Sequence, residues 1–440
     1  MTAHPPASPS GDRAVVRVPI RQVVAVVVGN ALEFYDFLTY AFFAVQIGRA
    51  FFPSTNPASS LLLSLATFGA GFLMRPVGGI VIGRMGDRIG RKPAMLWSFS
   101  CMGIAITGLA LTPSYASIGF AAPILVIAFR LLQGFALGGE VGPTTAYLME
   151  AAPIDKRGLY ASLQYSTQGF AVMTAGVIGV FLARTLDSQA LDTWGWRVAL
   201  LIGTLIVPFG LVIRRSLPET FERRAGDANE TRAEVRSYLR VAALGLVMLA
   251  SGTIATYILD YLTTFAIATL HMRTDVAFGA TVIVGLCDAC LSPVSGWLSD
   301  RFGRKRMMMI PWLSLFVLVL PAFAVITRFA TPATLLGATA VLAITNTFGS
   351  TPVLVALTEA LPVNVRSGAL AITYALAIST FGGTAQFVVT WLIAMTGNPL
   401  APAWYMMAAV GIGFVAMAAM PETAPVKANS SREPASVIRP

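Results

Sequence analysis

Of the chain's 440 residues, 56% are hydrophobic and only 12% charged, about half the charged share of roughly 25% in soluble domains. That composition excludes an ordinary soluble domain, and the net charge of +10 is spread too unevenly for a nucleic-acid surface. Hydrophobic runs of about twenty residues, each long enough to cross a bilayer, recur from end to end. Period-two alternation is absent, which argues against a transmembrane barrel.

In chain order the sequence predicts twelve membrane helices: 23–47, 59–83, 93–112, 118–150, 159–183, 198–217, 239–269, 276–298, 307–326, 335–360, 369–394 and 403–420. The expected divisions are an N-terminal tail (1–20), a six-helix bundle (21–217), a polar linker (218–238), a second six-helix bundle (239–422) and a C-terminal tail (423–440). The N-terminal tail lacks the short apolar core and small-residue site of a removable signal peptide. When loops are assigned alternately to two sides, 24 of the 31 Lys and Arg fall on the side of the termini. Such an excess marks the cytoplasmic face, so both termini are expected in the cytoplasm. The other side holds Arg49, Arg184, Arg197, Arg273 and Arg328.

Charges inside the helices draw attention first, because each costs about 2.5–3.5 kcal/mol on insertion scales. The first helix carries "GNALEFYDFL" (Gly29–Leu38), in which Glu33 and Asp36 share a face with Asn30 one turn below. Two acids so close do not both ionise easily in a dry site. The pair reads as a proton store or as the partner of a cation. Asp36 and Arg130 of the fourth helix lie at similar depth, about 18 Å from one end of their runs, and Arg75 of the second lies about 12 Å from the opposite end, at 1.5 Å per residue. Pro76 and the glycines after it are expected to open the backbone there. Gln164 and Gln168 stand one turn apart on the fifth helix, a hydrogen-bonding face for carboxylate or hydroxyl oxygens. The second half offers Asp260, Asp288, Asn346, Thr347 and Gln386. Cys287 and Cys290 have no second pair or His beside them and read as small buried residues. Neither metal nor cofactor is expected, and no nucleophile–base set or phosphate loop supports an enzyme.

The chain also repeats itself. "GRMGDRIGRK" (Gly83–Lys92) returns as "GWLSDRFGRK" (Gly296–Lys305), "EAAPIDKR" from Glu150 as "EALPVNVR" from Glu359, and "PET" at Pro218 as "PET" at Pro421, at offsets of 213, 209 and 203 residues. The doubled loop resembles the signature of the major facilitator superfamily, over essentially all of residues 21–423. "GFLMRPVGG" (Gly71–Gly79), "RLLQGFALGGE" (Arg130–Glu140), "WGWR" (Trp194–Arg197) and "RRSLPET" (Arg214–Thr220) narrow the resemblance to the metabolite:proton symporters. "ALTEALPVNVRSG" (Ala356–Gly368) and the stretch Phe381–Met407 are most similar to citrate and tricarballylate symporters.

The resemblance implies an all-α protein of twelve transmembrane helices in two bundles, a monomer in the cell (inner) membrane, importing a small organic anion with protons. It also implies that the first and fourth helices line the cavity, where Arg130 faces Glu33 or Asp36. In the resulting scheme Arg130, Arg75, Gln164, Gln168, Asn30 and Asn346 bind substrate, while Glu33, Asp36 and Glu140 handle the proton. A conformational latch is expected from Gly83, Asp87, Arg88, Arg91, Glu150 and Arg157, and from Asp300, Arg301, Arg304, Glu359 and Arg366. Alternatives are an importer of 2-oxoglutarate, shikimate or proline/betaine, and a drug:proton exporter. The fifth helix lacks the proline expected of an exporter, and the tail lacks the coiled coil of osmosensing relatives.

Overall fold

The computed structural model describes residues 20–138, 152–215, 232–361 and 366–424. Side chains are described there except at 20–27, 86–87, 91–92, 95, 154, 205–207, 209–215, 232–238, 366–368 and 371. All the regular structure among these residues is helical. The helix α1 (Ile20–Phe42) continues into α2 (Ala44–Phe51) through Phe43, whose amide still donates to Thr39 O at 3.2 Å. Then come α3 (Pro57–Leu73), α4 (Arg75–Ile89), α5 (Arg91–Leu111), α6 (Ala121–Leu137), α7 (Arg157–Thr185) and α8 (Trp196–Arg215). The later part holds α9 (Arg232–Ala268), α10 (Thr274–Phe302), α11 (Arg304–Phe329), α12 (Pro332–Ala360), α13 (Arg366–Ala377), α14 (Gly383–Thr396) and α15 (Ala401–Ala419). A π-helical turn, Ile378–Gly382, joins α13 to α14.

Eight of the described helical stretches are long and apolar enough to cross a membrane. Their outer faces carry large apolar side chains such as Leu73, Phe181, Ile310, Ile372 and Val415, each more than half exposed. A soluble monomer rarely presents so much contiguous apolar surface, and lipid is the solvent that suits it.

Helices α1–α8 pack chiefly on one another, as do α9–α15, and the two sets meet along α7–α10 and α3–α14. Small residues make these contacts possible. A Cβ on Gly69 of α3 would lie 2.4 Å from Gly383 O, and one on Gly176 of α7 would lie 2.8 Å from Val282 N. Inside the first set, α3 and α4 cross α6 at Gly71, Gly78, Gly134 and Gly138, where an added Cβ would collide with backbone or come within about 3.0 Å of it. Close backbone approach through small residues is how membrane helices pack without a hydrophobic driving force. The two glycine-rich motifs of this region, Gly71–Gly79 and Arg130–Glu140, therefore have a packing cause as far as Gly138.

The duplicated loop has a conformational cause. Gly90 and Gly303 hold the same place in the two copies, between α4 and α5 and between α10 and α11, with φ of 100° and 103°. Only glycine enters that region without strain.

Candidate functional site

A cavity lies where the two helix sets face each other. Its walls come from Phe34 (α1), Arg75 (α4), Tyr165 and Gln168 (α7), Thr253, Thr256 and Tyr257 (α9), Ser350 (α12) and Tyr374 (α13). The break between α3 and α4 places Arg75 there: α3 ends at Leu73 and α4 begins at Arg75, with Pro76 next. The backbone is less open than expected, because Gly78 N still donates to Met74 O at 2.8 Å. The Arg75 guanidinium stacks on Phe37 and Phe72, with Cζ 4.4 and 4.1 Å from the ring centroids. It is 7% exposed, and among the described residues its Nε and Nη2 have no hydrogen-bond partner. Arg75 lines the cavity, and a buried cation whose donors lack partners in the protein is chemically suited to an oxyanion. Tyr257 and Tyr374 stand within its field, and Tyr374 hydrogen-bonds Gln168.

Arg130 is placed differently from the expectation. It is fully buried and does not line the cavity. Its Nη1 donates to Gln133 Oε1 at 2.5 Å and its Nη2 to Phe68 O at 3.3 Å, while Cζ leans on the rings of Phe37, Tyr40 and Phe68 at 4.5–4.9 Å. Phe37 thus carries both arginines, Arg75 at the cavity and Arg130 behind it.

The expected pairing of Arg130 with Asp36 is absent. Asp36 points toward α8, where a Cβ on Gly203 would come within 2.1 Å of Asp36 Oδ1 and 3.0 Å of Ile106. The cause is helical phase. Phe37 and Tyr40 lie on the face of α1 turned to Arg130, whereas Asp36 is rotated away toward α5 and α8. Glu33 and Asp36 are both buried, at 2% exposure. Asn30 is not at the cavity either: its Nδ2 donates to Thr167 Oγ1 at 2.8 Å and joins α1 to α7. Of the glutamine pair only Gln168 reaches the cavity. Gln164 is buried among the helices, and its backbone O accepts from Asn30 and Thr167. Asn346 stands behind the cavity wall, donating to Thr256 Oγ1 at 3.1 Å and accepting from Ser350 Oγ at 3.2 Å.

At the end of the bundle that carries the repeated loops, Asp300, Arg304 and Glu359 meet. Arg304 Nη2 lies 2.7 Å from Asp300 and 3.1 Å from Glu359, and Nη1 donates to Ser299 Oγ at 2.7 Å. Asp300 also accepts from Gly158 N at 2.8 Å and Leu159 N at 3.0 Å, the free amides at the start of α7. Glu422, from the second "PET", accepts from Arg304 N and Lys305 N at 2.9 and 3.2 Å and caps α11. Arg301 lies outside this network, near Trp297 and Phe302. Arg88 and Gly83 are exposed, with nothing near Gly83, and Arg157 Nε has no partner among the described residues. Glu140 and Glu150, and the side chains of Asp87, Arg91 and Arg366, lie outside the described residues.

The profile of the sugar (and other) transporter family matches residues 22–237 and 224–430. The chain belongs to this family, within the major facilitator superfamily. It is a multi-pass membrane transporter, and its family is one of transporters, not enzymes. The transporter is 36% identical over 403 residues to the citrate-proton symporter of Salmonella typhi, covering 90% of this chain and 92% of that one. It is 31% identical to the proline/betaine transporter of Escherichia coli (strain K12), covering 92% of this chain and 84% of the relative. It is also 31% identical to the alpha-ketoglutarate permease of the same strain, covering 88% and 90%. Among solved structures, the proton:xylose symporter XylE bound to 6-bromo-6-deoxy-D-glucose matches with a TM-score of 0.74 at 18% identity, over 92% of this chain and 96% of that chain.

At the transporter's far end, Arg49 pairs with Asp192 at 2.6 Å, and Arg184 and Arg273 flank Asp275. Arg197 of the "WGWR" stretch donates to Ala110 O and Thr112 O at 2.7 and 2.6 Å, satisfying carbonyls at the end of α5. A cleft of about 540 Å³, bounded by Arg49, Ser54, Leu61, Tyr261, His271 and Thr390, enters this end. The central cavity is only about 60 Å³. A cleft thus enters the far end, and at the loop end Asp300 ties α10 to the start of α7. The tyrosines and hydroxyls of the cavity, Tyr165, Tyr257, Tyr374, Thr253, Thr256 and Ser350, escaped sequence reasoning. They sit in apolar runs, and only their recurrence as polar tips in those runs marks them.

Proposed function

We propose that this chain is a proton-coupled importer of a small organic carboxylate, of the citrate or tricarballylate class, working by alternating access. The observation that carries the reading is Arg75, whose unpartnered Nε and Nη2 are held by two phenylalanine faces at a cavity between the helix sets. A carboxylate arriving there completes the guanidinium and displaces no existing partner. Gln168, Thr256, Ser350 and the tyrosines supply hydrogen bonds to further oxygens. The citrate-proton symporter resemblance at 36% identity supports the same class.

Twelve helices in two six-helix bundles, residues 21–217 and 239–422, form the working unit, a monomer in the cell (inner) membrane. Both termini lie in the cytoplasm, as the bias of basic loops supports. Glu33 and Asp36 carry the coupled proton, with Glu140 as a further candidate. Arg130 acts behind Phe37 and sets the field and position of the Arg75–Phe37 layer. The Asp300–Arg304–Glu359 network, with Gly158 and Leu159, latches the cytoplasmic end, and its first-half counterpart is Asp87, Arg91 and Glu150. Purified protein in vesicles tests this by counterflow of citrate, tricarballylate, 2-oxoglutarate, shikimate and betaine. Counterflow of citrate or tricarballylate, with accumulation that a protonophore abolishes, is the expected result. Selective uptake of betaine or shikimate overturns the carboxylate class, and accumulation that follows sodium overturns the proton.

A further inference from the structure

The C-terminal set of helices holds a second pair of acids. Asp260 lies on α9, one turn beyond the cavity residues Thr256 and Tyr257. It is 4% exposed, and among the described residues its Oδ1 has no hydrogen-bond partner. Asp288 of α10 acts on it through space as a like charge. Asp288 also stands on the seam between the two helix sets, because a Cβ on Gly169 of α7 would come within 2.7 Å of Asp288 Cβ.

The bonding around Asp288 accommodates the acid with or without its proton. Thr347 Oγ1 is within reach of two acceptors, Asp288 Oδ1 and Ala343 O, the latter at 2.8 Å. A hydroxyl has one proton to donate. With Asp288 ionised, Thr347 Oγ1 donates to it, and Ala343 O keeps the backbone N–H that the helix gives it. With Asp288 protonated, its O–H donates to Thr347 Oγ1 and Thr347 donates to Ala343 O, so the same hydroxyl serves both states, as a site that takes up and releases a proton requires. The groups facing the pair do not replace that proton. They are Tyr257 on α9, Cys287 beside Asp288 on α10, and Tyr165 from α7. Arg75 acts on Tyr257 and Tyr374, and among the described residues no cation acts on either acid.

We propose that Asp260 and Asp288 together hold a second transported proton, bound at a site separate from Glu33 and Asp36. A proton from water forms an O–H bond on one carboxyl and returns to water on the other side, with no electron transfer. Because Asp288 packs against α7, charging it destabilises the seam and neutralising it restores the seam, which ties proton loading to movement of the two sets. The proposal rests on the proton-symport reading above.

Two measurements test it. Infrared difference spectra of purified protein through a pH step read protonated buried carboxyls without any substrate. Asp260→Asn and Asp288→Asn are each expected to remove the same component of that band, while Glu33→Gln leaves it. A band unchanged in both variants overturns the proposal. In vesicles, the citrate gradient at which net flux stops reports protons per substrate. Losing one coupled proton lowers that limit about tenfold for each unit of imposed pH difference. Asp260→Asn is expected to show this drop with counterflow slower but present, and Asp288→Glu to restore wild-type coupling. An undiminished limit in both Asn variants overturns the second site, as does uptake whose sodium response disappears in Asp260→Asn. If the wild-type limit ignores the proton gradient while the infrared component behaves as expected, the symport reading is what has failed.

Discussion

Gly158→Ala is expected to open the loop end of the transporter. The new Cβ falls 2.4 Å from Arg304 Nη1, 2.5 Å from Gly296 O and 2.7 Å from Asp300 Oδ1. Ordinary contact needs 3.4–4 Å, and Gly296 O is backbone, so α7 and α10 must separate by about 1 Å at this end. The bonds from Gly158 N and Leu159 N to Asp300, now 2.8 and 3.0 Å, then stretch to roughly 4 Å and cease to be hydrogen bonds. Each bond to a charged group is worth about 1.5–3 kcal/mol. Water recovers part of the loss, which leaves the closed end weaker by about 3 kcal/mol, roughly a hundredfold in the equilibrium between closed and open. Spin labels at Lys156→Cys and Arg301→Cys, with Cys101, Cys287 and Cys290 replaced by Ser, read the distance across the seam in vesicles. The distribution is expected to move to longer distances with alanine at 158 and to stay in place for Gly337→Ala, which has nothing within 4 Å. If alanine at 158 leaves the distribution where it was, Asp300 on α7 is not what closes this end.

Arg75→Lys keeps the charge but loses the planar fork, and substrate affinity in a binding assay is expected to fall about 10- to 100-fold, with a smaller change for Arg130→Lys. Glu33→Gln or Asp36→Asn is expected to abolish pH-driven accumulation, with exchange surviving in at least one. Full accumulation in both removes that pair from coupling. Arg304→Met strands Asp300 and Glu359 and is expected to destabilise the protein by about 3–5 kcal/mol, read as a lower thermal midpoint in detergent, while Arg301→Met leaves the midpoint in place.

Much of this was legible in the sequence because membranes restrict the choices. Long apolar runs spell helices, and a doubled loop spells a doubled set of end contacts. Asp300, Arg304 and Glu359 were legible as partners for that reason, since repeated spacing places them at neighbouring helix ends. The arginines were harder. Arg75 and Arg130 carry the same charge inside the helices, and depth is all that rise per residue supplies. Which of them reaches the cavity depends on the kink at Met74 and on Phe37, whose ring separates the two. Asp36 was misplaced for a related reason. Glu33 and Asp36 are three apart and look like one face, yet 300° of rotation leaves about 60° between them, enough to send one acid toward Gly203. Glu422 was visible only as an echo, and its capping of α11 required the fold.

The charge of the cargo links these sites. A trianion entering a negative cell works against about 2.3 kcal/mol per charge per 100 mV, about 7 kcal/mol for three charges at that potential. The cavity offers one described cation, Arg75, and a fixed cation changes affinity without changing the charge carried across. Inward transport of such an anion therefore needs protons that travel with it. A lone acid supplies one, whereas acids in both helix sets supply more and make their loading depend on how the sets are packed. The proposed proton sites, Glu33 and Asp36 in the first set and Asp260 and Asp288 in the second, with Asp288 on the seam, would meet that requirement. In the proposed mechanism Arg75 is the cation that receives the anion.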